Sequence, residues 1–196
     1  MRAYRRIIFA GTPKIKLSVI IPCYNERTTI ASVLEAVANA ASANKEIVVV
    51  DDASTDGCGQ LLEGPPRDRF GVLIVHERNR GKGAAPRTGF AAATGDVVIA
   101  QDADLEYDPS EYPLLIEPIA RGEADVVYGS RFRGRRSRGS SPLWHRAGNG
   151  ALTLASNLFT GLDLTDMETC YKAFRREVIQ SVEAELTTTR KRSRAP

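Results

Sequence analysis

Cysteine is scarce and scattered in this chain: Cys23, Cys58 and Cys170 are odd in number, far apart and in no CxxC pair. That excludes a disulfide framework and a cysteine zinc site, and it fits a reducing compartment. Long apolar runs are missing too. No stretch of about 18 apolar residues occurs, so nothing reads as a bilayer span, and the apolar part of residues 2–11 is too short for a secretory signal. Charge of one sign is not in large excess either, since the formal net charge is +3, too small to argue for a nucleic-acid partner. Histidine is limited to His76 and His145, and both read as structural. There is no internal repeat.

What remains is the composition of a soluble globular protein, with 42% apolar and 26% charged residues. The 196 residues fit one domain that buries roughly 70% of its unfolded surface. Residues 1–15 read as an N-terminal extension, 16–182 as the domain, and 183–196 as a disordered basic tail, because residues 187–196 have no apolar period. Charge is concentrated in two places: Arg131, Arg133, Arg135, Arg136 and Arg138 in a Gly/Ser/Arg loop, and Arg190, Lys191, Arg192 and Arg194 at the C-terminus.

Apolar patterning sets the fold class. Leu17-Ser18-Val19-Ile20-Ile21 is a strand ended by Pro22, and Ile30, Val33, Leu34 and Val37 follow at helical spacing. Residues 46–50 form a β-branched strand of the kind buried on both faces of a parallel sheet. Residues 72–75 repeat that pattern, an alanine-rich helix covers about 83–94, and 97–100 is a fourth strand. Strands alternating with helices predict an α/β domain with a mostly parallel sheet, single and flanked by helices. Further on, helices are expected at 112–120, 143–160 and from 176 to 182, and strands at 124–128 and 169–174.

In such sheets the ligand site lies outside the carboxyl ends of the strands. Tyr24, Asn25 and Glu26 follow the first strand, Asp51 and Asp52 the second, residues 78–82 the third, and Asp102-Ala103-Asp104 the fourth. Side chains two apart on an extended segment point the same way, so Asp102 and Asp104 are placed to face one divalent cation. A hard cation takes carboxylate oxygens and leaves positions for water and phosphate, which suggests a nucleotide diphosphate. Each residue also has a plain reading. Paired acids after a strand are commonly solvated turn residues, Asp52 and Ser54 suit a turn cap, and Asn25 suits a cap on the first helix.

Taken together, Pro22-Cys23-Tyr24-Asn25-Glu26, Val50-Asp51-Asp52-Ala53-Ser54-Thr55-Asp56-Gly57, Arg80-Gly81-Lys82-Gly83 with Arg87, and Asp102-Ala103-Asp104-Leu105 resemble the family 2 glycosyltransferases of the GT-A fold. Gly129-Ser130-Arg131-Phe132 and residues 164–172 resemble the branch that contains dolichyl-phosphate mannose synthase and bacterial polyprenyl-phosphate sugar transferases. The resemblance runs from about Lys16 to Val182. It implies that Pro22, Tyr24, Asn25, Glu26, Val50 and Asp52 bind the base and ribose of a nucleotide-sugar donor, with UDP and GDP both open. It also implies that Asp102 and Asp104 hold Mg2+ or Mn2+ with Ala103 against the nucleotide, and that Glu106 reaches the metal. Arg131, Lys82 and Arg87 would meet phosphate, Asp104 and Arg131 would serve the chemical step, and Asp166 would be the acid on the acceptor side.

The implied activity is metal-dependent, inverting transfer of a sugar from a nucleotide diphosphate to a polyprenyl phosphate. The expected setting is the cytoplasm, peripheral on the cytoplasmic face of the membrane, with the arginine loop as an acceptor lid or membrane contact. An acceptor phosphate is already ionised near neutral pH, so no strong general base is needed. The chain departs from the pattern at Pro86, Cys170 and Gly150, and the likeness ends after Val182. That leaves a second reading, a shortened nucleotide-sugar-binding domain with impaired turnover. A nucleotidylyltransferase would need a Gly-rich basic loop at residues 22–27, and a Rossmann dehydrogenase a final Gly that Gly81-Lys82-Gly83-Ala84-Ala85-Pro86 lacks.

Overall fold

The computed structural model describes residues 15–40, 44–104, 106–130, 150, 152–154, 156–158, 165–166, 169 and 171–192. Strands β1 (Leu17–Cys23), β2 (Lys45–Asp51), β3 (Val72–Val75), β4 (Val97–Ala100), β5 (Val126–Tyr128) and β6 (Lys172–Arg175) form one sheet in the order β3-β2-β1-β4-β6-β5. The first four run parallel, and β6 runs antiparallel between β4 and β5. The helices are α1 (Ile30–Asn39), α2 (Cys58–Glu63), α3 (Ala84–Ala92), α4 (Tyr112–Ala120) and α5 (Arg176–Arg192). This is the expected α/β architecture.

Alternation along the strands divides the core into two layers. Leu17, Val19 and Ile21 of β1, with Ile47, Val49, Val97 and Ile99, pack against Ile30, Val33, Leu34 and Val37 of α1 and Tyr112, Leu115 and Ile119 of α4. Ile20, Val48, Val50 and Val98 face the other way, onto Ala85 and Phe90 of α3 and Ile179 of α5. Gly89 makes this second layer possible. A Cβ there would lie 2.1 Å from Ile20 Cγ2, so α3 rests its backbone on the central strand.

Four expectations change in the structure. β1 continues through Pro22 to Cys23, pairing Pro22 with Val50. Its missing N–H is harmless because residues of Pro22's parity point their backbone groups toward β4, and β4 ends at Ala100, opposite Ile20. β3 is an edge strand, with Val72 and Val75 exposed, so its apolar run marks β propensity and not burial on both faces. The predicted strand 169–174 forms over Lys172–Arg175, where β4 and β5 supply partners. Lastly, the tail expected to be disordered from residue 183 is helical to Arg192. Gln180 Nε2 donates to the carbonyls of Phe90 and Ala93 at the end of α3, and Glu183 pairs with Arg87. Once anchored this way, the helix extends at little further cost. The helix expected at 143–160 is helical at residues 150, 152–154 and 156–158, and the remainder lies outside the described residues.

Candidate active site

The chain steps outward from β1 to β2 to β3, then returns to set β4 on the other flank of β1. A crevice opens at such a reversal, outside the carboxyl ends of the strands. The loops after β1 and β4 border it directly. The loop after β2 joins the first of them, because the Asp52 N–H donates to the Cys23 carbonyl at 2.9 Å.

The first two loops are tied together by side chains. Asn25 N–H donates to Ser54 Oγ at 2.9 Å, and Thr55 N–H donates to Asn25 Oδ1 at 2.8 Å. Asp56 accepts from the N–H groups of Arg27 at 3.0 Å and Cys58 at 2.9 Å. Asn25 is therefore a bridge between loops and not a cap on α1. The turn that Asp52 was expected to cap is capped by Asp51, whose Oδ1 accepts from Ser54 N–H and Oγ. Glu26 is half-buried and accepts from Thr29 Oγ1 at 3.0 Å. Tyr24 is exposed and Pro22 half-buried, so both present surface at the mouth.

Asp52 is an interior anchor. It is 3% exposed, and it bonds to His76 Nδ1 at 2.6 Å and to the N–H groups of Arg80 and Gly81 at 3.0 Å each. Burial alone would raise its carboxyl; the His76 bond and the two backbone donors outweigh that and hold it below the usual carboxylate range. His76 Nε2 also meets Thr88 Oγ1 of α3 at 2.9 Å, so a single imidazole links the second loop to the third crossover. Val50 is fully buried against the α3 layer. Its side chain therefore faces the core, as the parity of its strand position dictates.

After β4, Gln101 is 1% exposed. Its Oε1 accepts from Tyr112 OH at 3.0 Å, and its amide donates to the Asp102 carbonyl at 3.2 Å. Ala103 is buried in the α1 and α4 layer, Asp102 is half-buried and Asp104 is exposed. With Ala103 packed into the core, Asp104 faces solvent and Asp102 is partly covered. Asp104 Oδ1 accepts from Glu106 N–H at 3.0 Å, and Glu106 is exposed. Tyr171 stacks on Tyr107 with ring centroids 4.9 Å apart, and its hydroxyl donates to the Asp108 carbonyl at 2.9 Å. Burial raises the phenols of Tyr112 and Tyr171 above their ordinary range, so both stay donors.

Asp102 and Asp104 are hard oxygen donors of the type Mg2+ and Mn2+ take. Among the described residues no three His, Cys, Asp or Glu side chains are gathered for a metal, so Asp102, Asp104 and Glu106 form no closed cage. Two carboxylates fit a cation that completes its shell with phosphate and water.

The remaining expected residues are dispersed. Lys82 is exposed and lines a cleft with Arg78, Arg80, Arg87 and, from α5, Glu183. Arg87 Nε lies 3.2 Å from Glu183 Oε2, which holds it toward the C-terminal helix. Pro86 is the third residue of α3, within the first turn, where its missing N–H costs little. Asp166 is 1% exposed, on the segment that enters β6, whose Lys172 pairs with Ala100. Arg131, Cys170, His145 and the rest of the arginine loop lie outside the described residues. The structural reading of His76 agrees with its bonds to Asp52 and Thr88, whereas Gln101 and Tyr171 are organisers that the sequence reading does not single out. The polar Gln101 directly after an apolar strand was the one available signal.

Among the described residues no helix is long and apolar enough to cross a membrane. The family model for glycosyl transferase family 2 matches residues 18–182. The chain is 36% identical over 171 residues to an undecaprenyl-phosphate 4-deoxy-4-formamido-L-arabinose transferase of Pseudomonas paraeruginosa, covering 85% of the chain and 49% of that relative. It is 36% identical over 175 residues to a protein of the same name from Aeromonas hydrophila, covering 86% and 52%. It thus spans about half the length of these curated relatives. Among solved structures, a mannosyltransferase from Pyrobaculum calidifontis in complex with GDP-Man and Mn2+ superposes with a TM-score of 0.61 at 25% identity, covering 85% of this chain and 46% of that one. Glucosyl-3-phosphoglycerate synthase from Mycobacterium tuberculosis with Mn2+, UDP and phosphoglyceric acid superposes with a TM-score of 0.63 at 25% identity, covering 83% and 56%.

Proposed function

The chain belongs to glycosyl transferase family 2, and from that premise we propose that it transfers a sugar, with inversion, from a UDP- or GDP-sugar to a polyprenyl phosphate. The observation that carries this reading is the pairing of β1 with β4, which puts the Tyr24–Glu26 loop and the Asp102–Asp104 segment at neighbouring strand ends, with Asp104 exposed and Asp102 half-buried. Relatives named for undecaprenyl phosphate support the acceptor class, and neighbours holding GDP-Man, UDP and Mn2+ support the donor and cation.

Tyr24 offers an exposed ring for the nucleotide base. Pro22 forms part of the same mouth, and Glu26 supplies a carboxylate for base N–H or ribose hydroxyl donors. Asn25 and Asp52 act one step back, fixing the loops that carry these groups. Asp102 and Asp104 would hold Mg2+ or Mn2+, which supplies Lewis-acid neutralisation of the diphosphate leaving group, and Glu106 adds negative charge at that edge. Lys82 is assigned to phosphate as a point charge, and Arg131 to the donor or acceptor phosphate through a bidentate pair. Asp166 is assigned to positioning the acceptor. An ionised acceptor phosphate attacks without a strong base, consistent with His76 being committed to Asp52. The setting proposed is the cytoplasmic face of a membrane, reached peripherally through the arginine loop.

Titration calorimetry with UDP and GDP, with and without Mn2+, is expected to show binding that Asp102→Asn or Asp104→Asn weakens at least tenfold in Mn2+ only. A radiolabelled transfer assay with a polyprenyl phosphate then reads turnover. Binding without turnover across nucleotide sugars would replace this proposal with a nucleotide-sugar-binding domain.

A further inference from the structure

Cys23 and Cys58 lie 35 residues apart in sequence, yet their sulfurs approach to 3.0 Å. Both are buried, Cys23 at 2% and Cys58 at 0% exposure, and both thiols are free. Their positions are set from both sides. Cys23 is the last residue of β1, held opposite Asp51 of β2, and its carbonyl accepts from the Asp52 N–H. Cys58 opens α2, its N–H bound to Asp56, after Gly57 at a φ of 89° turns the chain. Asp56 in turn holds the Arg27 N–H, four residues beyond Cys23.

We propose that Cys23 and Cys58 form a dithiol–disulfide site that, on oxidation, staples the loop after β1 to the loop after β2. Closing the bond requires the sulfurs to move together by only about 1 Å, to the usual S–S length. The bond between the two sulfurs, which either can donate, pulls Cys58 below the usual thiol range, while the same bond and burial push Cys23 up. Cys58 is therefore the attacking sulfur.

With hydrogen peroxide as oxidant, the Cys58 thiolate takes one oxygen as the O–O bond breaks, and the released hydroxide is protonated to water. The Cys23 sulfur then displaces that oxygen, which keeps its peroxide hydrogen and leaves with the Cys23 proton as a second water. Two S–H bonds are lost, one S–S bond forms, and peroxide is reduced to two waters. Burial makes the rate that of local opening of the loops. Both thiols are free, so no disulfide framework is present among the described residues, but the fold brings two of the three cysteines together. The inference does not depend on the proposed enzymatic activity.

The test treats the full chain with hydrogen peroxide and follows intact mass, non-reducing peptide maps and thermal unfolding. The expected result is a mass lower by two hydrogens, a peptide linking Cys23 to Cys58, and a Tm raised by about 5 °C. Dithiothreitol should reverse all three. Cys170→Ser should behave as wild type, and Cys58→Ala should form no link. Linkage through Cys170, separate sulfinic or sulfonic acids on Cys23 and Cys58, or no loss of hydrogens would each overturn the proposal. The wild-type peptide map decides even where Cys58→Ala folds poorly.

Discussion

Asp52 shows how a residue beside a binding site can serve it from the interior. Its carboxylate is buried with His76 and two backbone N–H donors, and its burial is tolerable only because those donors replace water. Among the described residues, the two non-glycine positions with left-handed backbone, Asn25 and Ala53 at a φ of 59° each, flank the same junction. Asn tolerates that region through its short polar side chain, whereas Ala is strained there. Strain of this kind persists where surrounding bonds over-determine the backbone, as the Asn25–Ser54 and Asn25–Thr55 bonds do. Replacing His76 with Leu should cost about 2–3 kcal/mol in urea unfolding, because a buried carboxylate loses a donor. His76→Gln, which retains an N–H, should lose less.

At the scale of elements, the end of the sheet opposite the site is closed by a polar clasp. Glu46 of β2 accepts from Lys16 Nζ at 2.7 Å, from Ser18 Oγ of β1, and from Thr94 and Gly95 ahead of β4. Burial pushes its carboxyl up, but the Lys16, Ser18 and Thr94 bonds prevail and bring it down to about 2. A carboxyl depressed in the folded state contributes stability above its unfolded value, near 4.3, and loses it as pH falls through the folded value. The clasp should therefore contribute roughly 2–3 kcal/mol at pH 6, fading between about pH 4.5 and pH 2. Urea midpoints from pH 6 to pH 3 are expected to converge for wild type and Glu46→Gln. A constant gap would show that the carboxylate is not the source.

Over the whole molecule, β1, like β2 and β4, contributes to both core layers, and its pairing with both β2 and β4 joins the two halves of the sheet. Unfolding that separates β4 from β1 also opens the crevice, so ligand binding and global stability should be coupled. Thermal unfolding should be a single transition. A nucleoside diphosphate with Mn2+ at about 100 times its Kd should add about 2.7 kcal/mol by mass action, a rise of roughly 5–10 °C for a chain of this size. Two transitions, only one of them moving with ligand, would contradict this coupling.

Much was legible in the chain itself, because period-2 and period-3.6 apolar patterns report burial directly. Ile30, Val33, Leu34 and Val37 read as one helix face and are one, and the polar clusters after the four parallel strands read as loops and are. The sequence could not reveal which strands are neighbours. Strand order is decided by non-local packing, and it alone sets β4 beside β1, buries Val50 and Asp52, and brings Cys23 to 3.0 Å from Cys58. Residue type determined what chemistry each loop can offer. Only the tertiary structure decided which side chains face the crevice and which brace it from within, since that choice depends on partners distant along the chain.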